Sequence, residues 1–322
     1  MRQRYNEFGA WLTAQMGRKV QKISVNAGFT CPNRDGRVGV GGCTYCNNQT
    51  FNPAYCAPTK SVAQQLAEGV EFFGRKYPEM RYLAYFQAYT NTYSDLSHLQ
   101  KLYEEALSVE GVEGIVIGTR PDCVDAPLLD YLAELHRRCF VLVEYGIEST
   151  DDVVLQRINR GHDFAATARA VEQTALRGIP VGGHIILGLP GTWLRPHYLT
   201  DEAQRLSALP LTTLKVHQLQ LIRGTRMAEE YAVCPDDFHL MTAAEYADYV
   251  IDFIEQLRPS LVLERFVSQS PSSLLAVPGW GLKNHEFTAL LRRRMEQRDT
   301  WQGRCYEGGD GVLNEYEPSK NE

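Results

Sequence analysis

The sequence lacks any apolar run approaching the ~20 residues of a membrane span, and its mean hydropathy is -0.31. A membrane is therefore not among the expected partners. The opening stretch MRQRYNEFGAWLTAQMGRKV has no apolar signal-peptide core, so the expected location is the cytoplasm. Neither sign of charge dominates. Against 39 acids stand 33 Lys and Arg, a net charge of -6. That balance excludes a generic nucleic-acid binder, though it allows a local basic face. No Walker A loop or dinucleotide glycine fingerprint is present, which counts against an ordinary nucleotide-dependent α/β enzyme. There is also no internal repeat and no low-complexity tract.

What is present is ordinary globular composition. The 322 residues are 44% hydrophobic and 22% charged, enough for one large or two modest domains. Short apolar runs rich in β-branched residues occur at Lys22–Val25, Tyr82–Phe86, Gly114–Ile117, Phe140–Tyr145, Val181–Leu187 and Thr212–Leu219. Segments of helical spacing separate them. They are Ser61–Tyr77, with Ser61 as N-cap, then Ser97–Val109, Pro127–Arg138, Phe164–Arg177 and Leu199–Ala208. This alternation predicts parallel βα units with right-handed crossovers. Six repeats are too few for a complete eight-fold barrel, so an open partial barrel or a doubly wound sheet is expected. After about residue 225 the rhythm changes. Helices are predicted over Thr242–Leu257 and Asn284–Arg298, an extra strand over Leu261–Val267, and a loose tail from Gly308.

Eight cysteines are the informative count. Cys31, Cys43 and Cys46 crowd into one segment, C-P-N-R-D-G-R-V-G-V-G-G-C-T-Y-C, with spacing C-x11-C-x2-C. The segment follows the first strand, so it is a loop at a strand's C-terminal end, where parallel α/β folds bind ligands. Thiolates in such a loop suit a soft metal or an iron–sulfur cluster. Two readings stay open on spacing alone. One is a cubane cluster with three protein ligands and one open iron. The other is a structural zinc site in a protein without catalysis, with Cys56 as fourth ligand. Cys56 itself reads as a buried thiol, a substrate-side thiol or a ligand of something else.

Polar or glycine-rich residues recur at five further strand ends: Gln87–Asn91, Thr119–Asp122, Glu148–Ser149, Gly188–Gly191 and Gln218–Gln220. On the sixth strand, alternation places Val216, Gln218 and Gln220 on one face and Lys215, His217 and Leu219 on the other. His184 and Arg120 each read equally well as site residues or as satisfied structural groups.

These motifs together resemble the radical S-adenosylmethionine (SAM) superfamily. The likeness is to the branch of the elongator catalytic subunit and the oxygen-independent coproporphyrinogen oxidases, and closest to an uncharacterised bacterial family with a Cys-Pro-Asn-Arg-Asp-Gly opening. It extends over roughly Tyr5 to Asn284. The departure is the long first cysteine gap, where the superfamily usually has C-x3-C-x2-C. The resemblance implies an α/β fold, a partial (βα)6 TIM-like barrel with a small C-terminal α+β extension. Its divisions would be a lead-in over 1–20, a core over 21–225 and an extension over 226–322.

The resemblance further implies a [4Fe-4S] cluster on Cys31, Cys43 and Cys46, with SAM chelating the fourth iron. Reductive cleavage of SAM would yield methionine and a 5′-deoxyadenosyl radical that acts on an unknown substrate. An electron donor such as flavodoxin or ferredoxin is implied with it. The Gly-Gly-Glu element that often touches SAM is absent here, leaving Gln87 or Thr90 in its place. Gly-x-Glu-Ser puts Glu148 and Ser149 against SAM. Arg160, twelve residues beyond Glu148, matches an arginine that pairs with the SAM carboxylate. Gly188 and Pro190 belong to a Gly-Leu-Pro-Gly turn on the adenine side. Elongator relatives act on transfer RNA, which makes RNA the substrate suggested for the basic run between Lys283 and Arg304, flanked by Trp280 and Trp301. A helix with a solvated charged face is the competing reading of that run.

Overall fold

The computed structural model describes residues 3–47, 53, 55–74 and 79–308. The last residues of the helix expected to run to Tyr77, and the expected loose tail beyond 308, lie outside the described residues. In chain order the elements are α1 (Phe8–Met16), β1 (Val20–Val25), α2 (Val62–Gly74), β2 (Arg81–Phe86), α3 (Leu96–Leu107), β3 (Val112–Thr119), α4 (Ala126–His136) and β4 (Phe140–Glu148). They continue with α5 (Asp152–Arg157), α6 (Phe164–Ala175), β5 (Val181–Leu187), α7 (Tyr198–Ala208), β6 (Thr213–Gln218), α8 (Arg226–Val233), α9 (Ala243–Gln256), β7 (Val262–Leu263) and α10 (Asn284–Gln297).

The seven strands form one sheet in sequential order, and every neighbouring pair is parallel. Sequential order removes the doubly wound alternative, whose strand order reverses. The sheet curls into a half-barrel with its helices outside. The outward residues Ile23, Ala84, Ile115, Val143 and Leu214 pack with the helices in the main core. Polar caps start several helices where the sequence supplies them: the side chains of Asp125, Asp151, Asp163 and Thr225 each accept from a backbone N–H of the first turn. Thr242 and Glu245 form a reciprocal capping box on α9.

Two features exceed the expected six units. The extra strand, expected over Leu261–Val267, pairs with β6 only at Val262 and Leu263, although Val216 N still donates to Arg265 O at 2.9 Å. Helix α1 is a plug. Leu12, Phe8 and Trp11 pack on Leu83, Val116 and Leu142, which point into the barrel rather than toward the helical layer. The sheet edges meet at that end: Leu263 N donates to Asn6 O at 2.8 Å, and Lys22 Nζ donates to both Glu264 carboxylate oxygens at 2.9 Å.

Candidate functional site

At the open end of the half-barrel lies a cavity of about 910 Å³. Cys31, Cys43 and Cys46 line it, with Gln87, Thr90, Arg120, Glu148, Arg160, His184, Lys215, His217 and Arg265. Three of the strand ends that the sequence marks as polar, at Gln87, Thr119 and Glu148, help to wall it, whereas Gly188, Gln218 and Gln220 line a neighbouring cavity.

The cysteine loop is held by backbone turns. Arg34 N donates to Cys31 O at 2.8 Å, Gly42 N to Asn33 O at 2.8 Å, and Cys46 N to Cys43 O at 3.0 Å. Gly41 and Gly42 take left-handed conformations, with φ of 82° and 81°, which glycine adopts without a Cβ clash. An asparagine clasp ties the loop to the chain after β4. Asn33 Nδ2 donates to Asn159 O at 2.6 Å, and Asn159 Nδ2 donates to Gly42 O at 2.8 Å. Arg34 Nη2 donates to Cys46 O at 2.7 Å.

Burial, then the neighbouring Cys43, pushes the Cys46 thiol up to about 11. Forming the Cys46 thiolate is therefore unfavourable unless a cationic centre compensates. Among the described residues, no three His, Cys, Asp or Glu side chains stand close enough to hold a single metal ion. The three cysteines line one cavity, and thiolates gathered there suit an iron–sulfur cluster. Cys56 stands apart from this cavity. Its thiol donates to Ser24 O at 2.8 Å, and burial holds its pKa up to about 12. Its burial and that bond agree with the buried-thiol reading, and it does not line the cavity shared by Cys31, Cys43 and Cys46.

Arg160 is buried at 6% exposure. Its Nη2 donates to Gly146 O and lies 3.9 Å from Glu148 Oε1, while Nη1 lies 3.5 Å from Cys43 Sγ. Its Nε is a buried donor without a partner among the described residues. A Cβ on Gly146 would stand 2.8 Å from Arg160 Nη2 and 2.7 Å from Glu148 Oε1. A side chain there would displace one of these two termini. Glu148 sits at a register irregularity of β4 with φ of 67°, a strained conformation for a non-glycine residue. Burial opposes its charge, but His184 and Arg160 outweigh burial and hold its pKa below the ordinary carboxylate value. Arg120 is buried too. Its Nε and Nη2 grip Asp122 at 2.8 Å each, and its Nη1 has no partner.

A chain of side chains crosses the cavity. Arg265 Nε donates to His217 Nε2 at 2.9 Å, His217 Nδ1 meets His184 Nε2 at 2.9 Å, and His184 Nδ1 meets Glu148 Oε2 at 2.9 Å. The arginine end fixes the protons. His217 Nε2 must accept, so its proton sits on Nδ1 and is donated to His184, which in turn donates Nδ1–H to Glu148. Burial, and then the nearby His184, Arg265 and Lys215, push the His217 pKa well down, consistent with a neutral ring.

Below it, Lys215 Nζ contacts Glu144 Oε1 at 2.5 Å and Tyr85 OH at 2.9 Å, and Tyr85 OH donates to Glu144 at 2.6 Å. Lys22 and Glu264 extend this ionic floor. Burial works against the Glu144 carboxylate, yet Lys215 and Lys22 outweigh it and hold its pKa well below the ordinary range. Buried ion pairs of this kind contribute little net stability, and an interior leucine would serve folding at least as well.

Three of the residues expected at the SAM site lie elsewhere. Ser149 is fully buried on the helical side, bonded to Tyr198 OH at 2.9 Å and Glu202 at 3.3 Å. The β4 irregularity just before it turns it away from the cavity. Gly188 lines a neighbouring cavity of about 860 Å³ with Met241 and Trp280, and Pro190 is buried in the turn beyond, lining neither. Sequence reasoning did not mark Tyr85, Glu144 or Arg265; in-register polar residues on otherwise apolar strands were the available signal. In the basic run, Arg292 pairs with Glu7, Arg294 with Asp248, Arg298 with Asp252, and Arg304 lies 4.0 Å from Glu255. Trp280 packs on Phe287, with its Nε1 donating to Met241 O. Among the described residues, no helix is long and apolar enough to cross a membrane.

The chain matches the family model of the Radical SAM superfamily over residues 29–192, and that of the Radical_SAM C-terminal domain over 211–297. It is 36% identical over 279 residues to protein YhcC of Escherichia coli, covering 85% of this chain and 87% of that protein. It is 32% identical over 305 residues to the uncharacterized protein YtqA of Bacillus subtilis, covering 94% and 93%. In fold it is similar to archaeal Elp3 from Methanocaldococcus infernus, with a TM-score of 0.66 at 15% identity over 88% of this chain and 64% of that one. Methylornithine synthase (PylB) gives a TM-score of 0.50 at 12% identity, over 88% of this chain and 83% of that one. The superfamily match runs unbroken from the cysteine loop through β5, and on that match the chain belongs to the radical SAM superfamily, whose enzymes work with a [4Fe-4S] cluster and S-adenosylmethionine.

Proposed function

We propose that Cys31, Cys43 and Cys46 hold the [4Fe-4S] cluster at the mouth of the cavity, and that SAM lies across the ends of β4 and β5 beside it. The observation that carries this reading is the placement of all three cysteines, the buried Arg160 and Glu148 on one cavity. Bound there, cluster and SAM supply the cleavage that yields methionine and a 5′-deoxyadenosyl radical, with the electron coming from a donor such as flavodoxin or ferredoxin. The protein's own part is orientation and the exclusion of water.

The unpartnered Nε of Arg160 suits the SAM carboxylate, since a guanidinium fork matches it bidentately. Glu148, held ionised by His184 and Arg160, accepts from the SAM ammonium or the ribose hydroxyls. Gln87 and Thr90 stand on the opposite wall as the remaining polar contacts. Arg34 and the Asn33–Asn159 clasp keep the long cysteine loop closed over the site. An RNA substrate has less support, because acids of this chain neutralise four of the six cations in the basic run.

The test is anaerobic reconstitution with iron and sulfide, followed by assay of SAM with a strong reductant. The expected result is about four irons per chain and release of 5′-deoxyadenosine. One zinc per chain, with no SAM cleavage, would overturn the proposal.

A further inference from the structure

We propose that Arg265 is the anchor for an anionic group of the substrate, a carboxylate or a phosphate, at the end of the cavity away from the cysteines. Its guanidinium lines the cavity that the three cysteines enter. Arg265 is separated from the cysteine end by the relay His217–His184–Glu148, whose last member neighbours Arg160 beside Cys43.

Arg265 differs from the other cations of the cavity. Arg120 is paired with Asp122, Lys215 with Glu144 and Glu264, and Arg160 lies 3.9 Å from Glu148, each of Arg120 and Arg160 keeping one unpartnered N–H, while Arg34 donates into the cysteine loop. Among the described residues the Arg265 side chain makes one hydrogen bond, from Nε to His217 Nε2 at 2.9 Å. No carboxylate stands within ion-pair distance of it among the described residues, and its Nη1 and Nη2 have no partner there.

That single bond has a specific consequence. It locks the guanidinium plane from behind through the His217–His184–Glu148 chain and leaves both Nη groups facing the cavity. A fork held this way is pre-organised for a bidentate oxyanion. The charge around it agrees. The cavity is lined by Arg34, Arg120, Arg160, Lys215 and Arg265 against Glu144 and Glu148, in a protein whose net charge is -6. Such a basic concavity selects anions. A substrate held at Arg265 by its acid group would lie between that fork and the cysteine end. This placement rests on the reading above for the position of SAM, while the anion subsite itself does not.

The test titrates inorganic phosphate, and separately acetate, into the chain both as purified and after reconstitution with SAM, at ionic strength fixed with chloride. Thermal stability reads binding. In parallel, phenylglyoxal modification of Arg265 is followed by peptide mass spectrometry. At least one anion should stabilise the wild type beyond chloride and slow modification of Arg265. R265Q should weaken that binding at least tenfold, and R265K should recover only part of it. The two arms separate a phosphate-bearing from a carboxylate-bearing substrate. Equal anion affinity in R265Q, or Arg265 modified at the same rate with and without anion, would overturn the proposal. Cluster assembly and 5′-deoxyadenosine release are scored separately on the wild type, so failure of the radical SAM reading shows there and not in the titration.

Discussion

Arg160 Nη1 lies 3.5 Å from Cys43 Sγ, while Nη2 of the same guanidinium reaches Gly146 O and Glu148. One side chain thus touches both a proposed cluster ligand and the proposed SAM carboxylate site. Arg160→Ala should leave the cluster assembled but cost about 1.5–3 kcal/mol of SAM binding, tenfold to over a hundredfold in affinity. Loss of the Cys43 contact should also shift the cluster's visible absorbance slightly. Arg160→Lys should restore part of the affinity. Anaerobic calorimetry of SAM binding checks this, and wild-type affinity in the alanine variant would remove Arg160 from the site.

The cysteines divide into two classes. Alanine at Cys31, Cys43 or Cys46 should each abolish the cluster absorbance near ~400 nm and the cleavage of SAM. Alanine at Cys56 should retain full iron, because its thiol donates to Ser24 O and does not line the cavity of the other three. Iron and sulfide analysis on the four variants decides the point.

Gly39 offers a steric test of the long first gap. A Cβ there would stand 2.2 Å from Asn33 Oδ1. Asn33 cannot yield cheaply, since its amide is engaged with Asn159 O. Gly39→Ala should therefore lower iron loading several-fold while moving the melting temperature by only a few degrees. Wild-type iron content would show that the loop tolerates repacking.

Glu202 gives the molecule a pH signature. It accepts from Thr150 N and Oγ1 and from Ser149, and burial pushes its pKa up to about 7 from an ordinary value of 4.5. Below about 4.5 the carboxyl is protonated in folded and unfolded chains alike. As pH rises from there through about 7, the unfolded chain loses its proton first, so this contribution to stability falls and then levels off. The loss is on the order of 3 kcal/mol. Glu202→Gln should flatten that slope. Melting temperatures at pH 5 and pH 8 for both proteins measure it, and parallel slopes would refute it.

Much of this was legible from local chemistry. The six apolar runs became strands, Ser61 accepts from Gln64 N as the expected cap, and Lys215 and His217 share the inward face that alternation predicts. What stayed hidden depends on contacts distant in sequence or on breaks in register. Lys22 and Glu264 are 242 residues apart, and no local pattern announces their pairing. Ser149, expected beside SAM from its likeness to a Gly-x-Glu-Ser step, sits away from the cavity because the backbone turns left-handed at Glu148, which no motif announces. Helix α1 escaped notice since both its ends and its apolar residues read equally well as irregular chain. Its role shows only against Leu83, Val116 and Leu142.

The meeting of Lys22 with Glu264, reinforced by Leu263 bonding to Asn6, bears on how the enzyme is made. The cysteine loop leaves the ribosome well before the stave that seals the barrel floor, since Lys22 and Glu264 are 242 residues apart. A nascent chain therefore presents its thiols on an unclosed sheet, with Lys22 lacking its carboxylate and the α1 plug lacking its far wall. Iron and sulfur delivered at that stage would meet an open trough, which the arrival of Glu264 then closes.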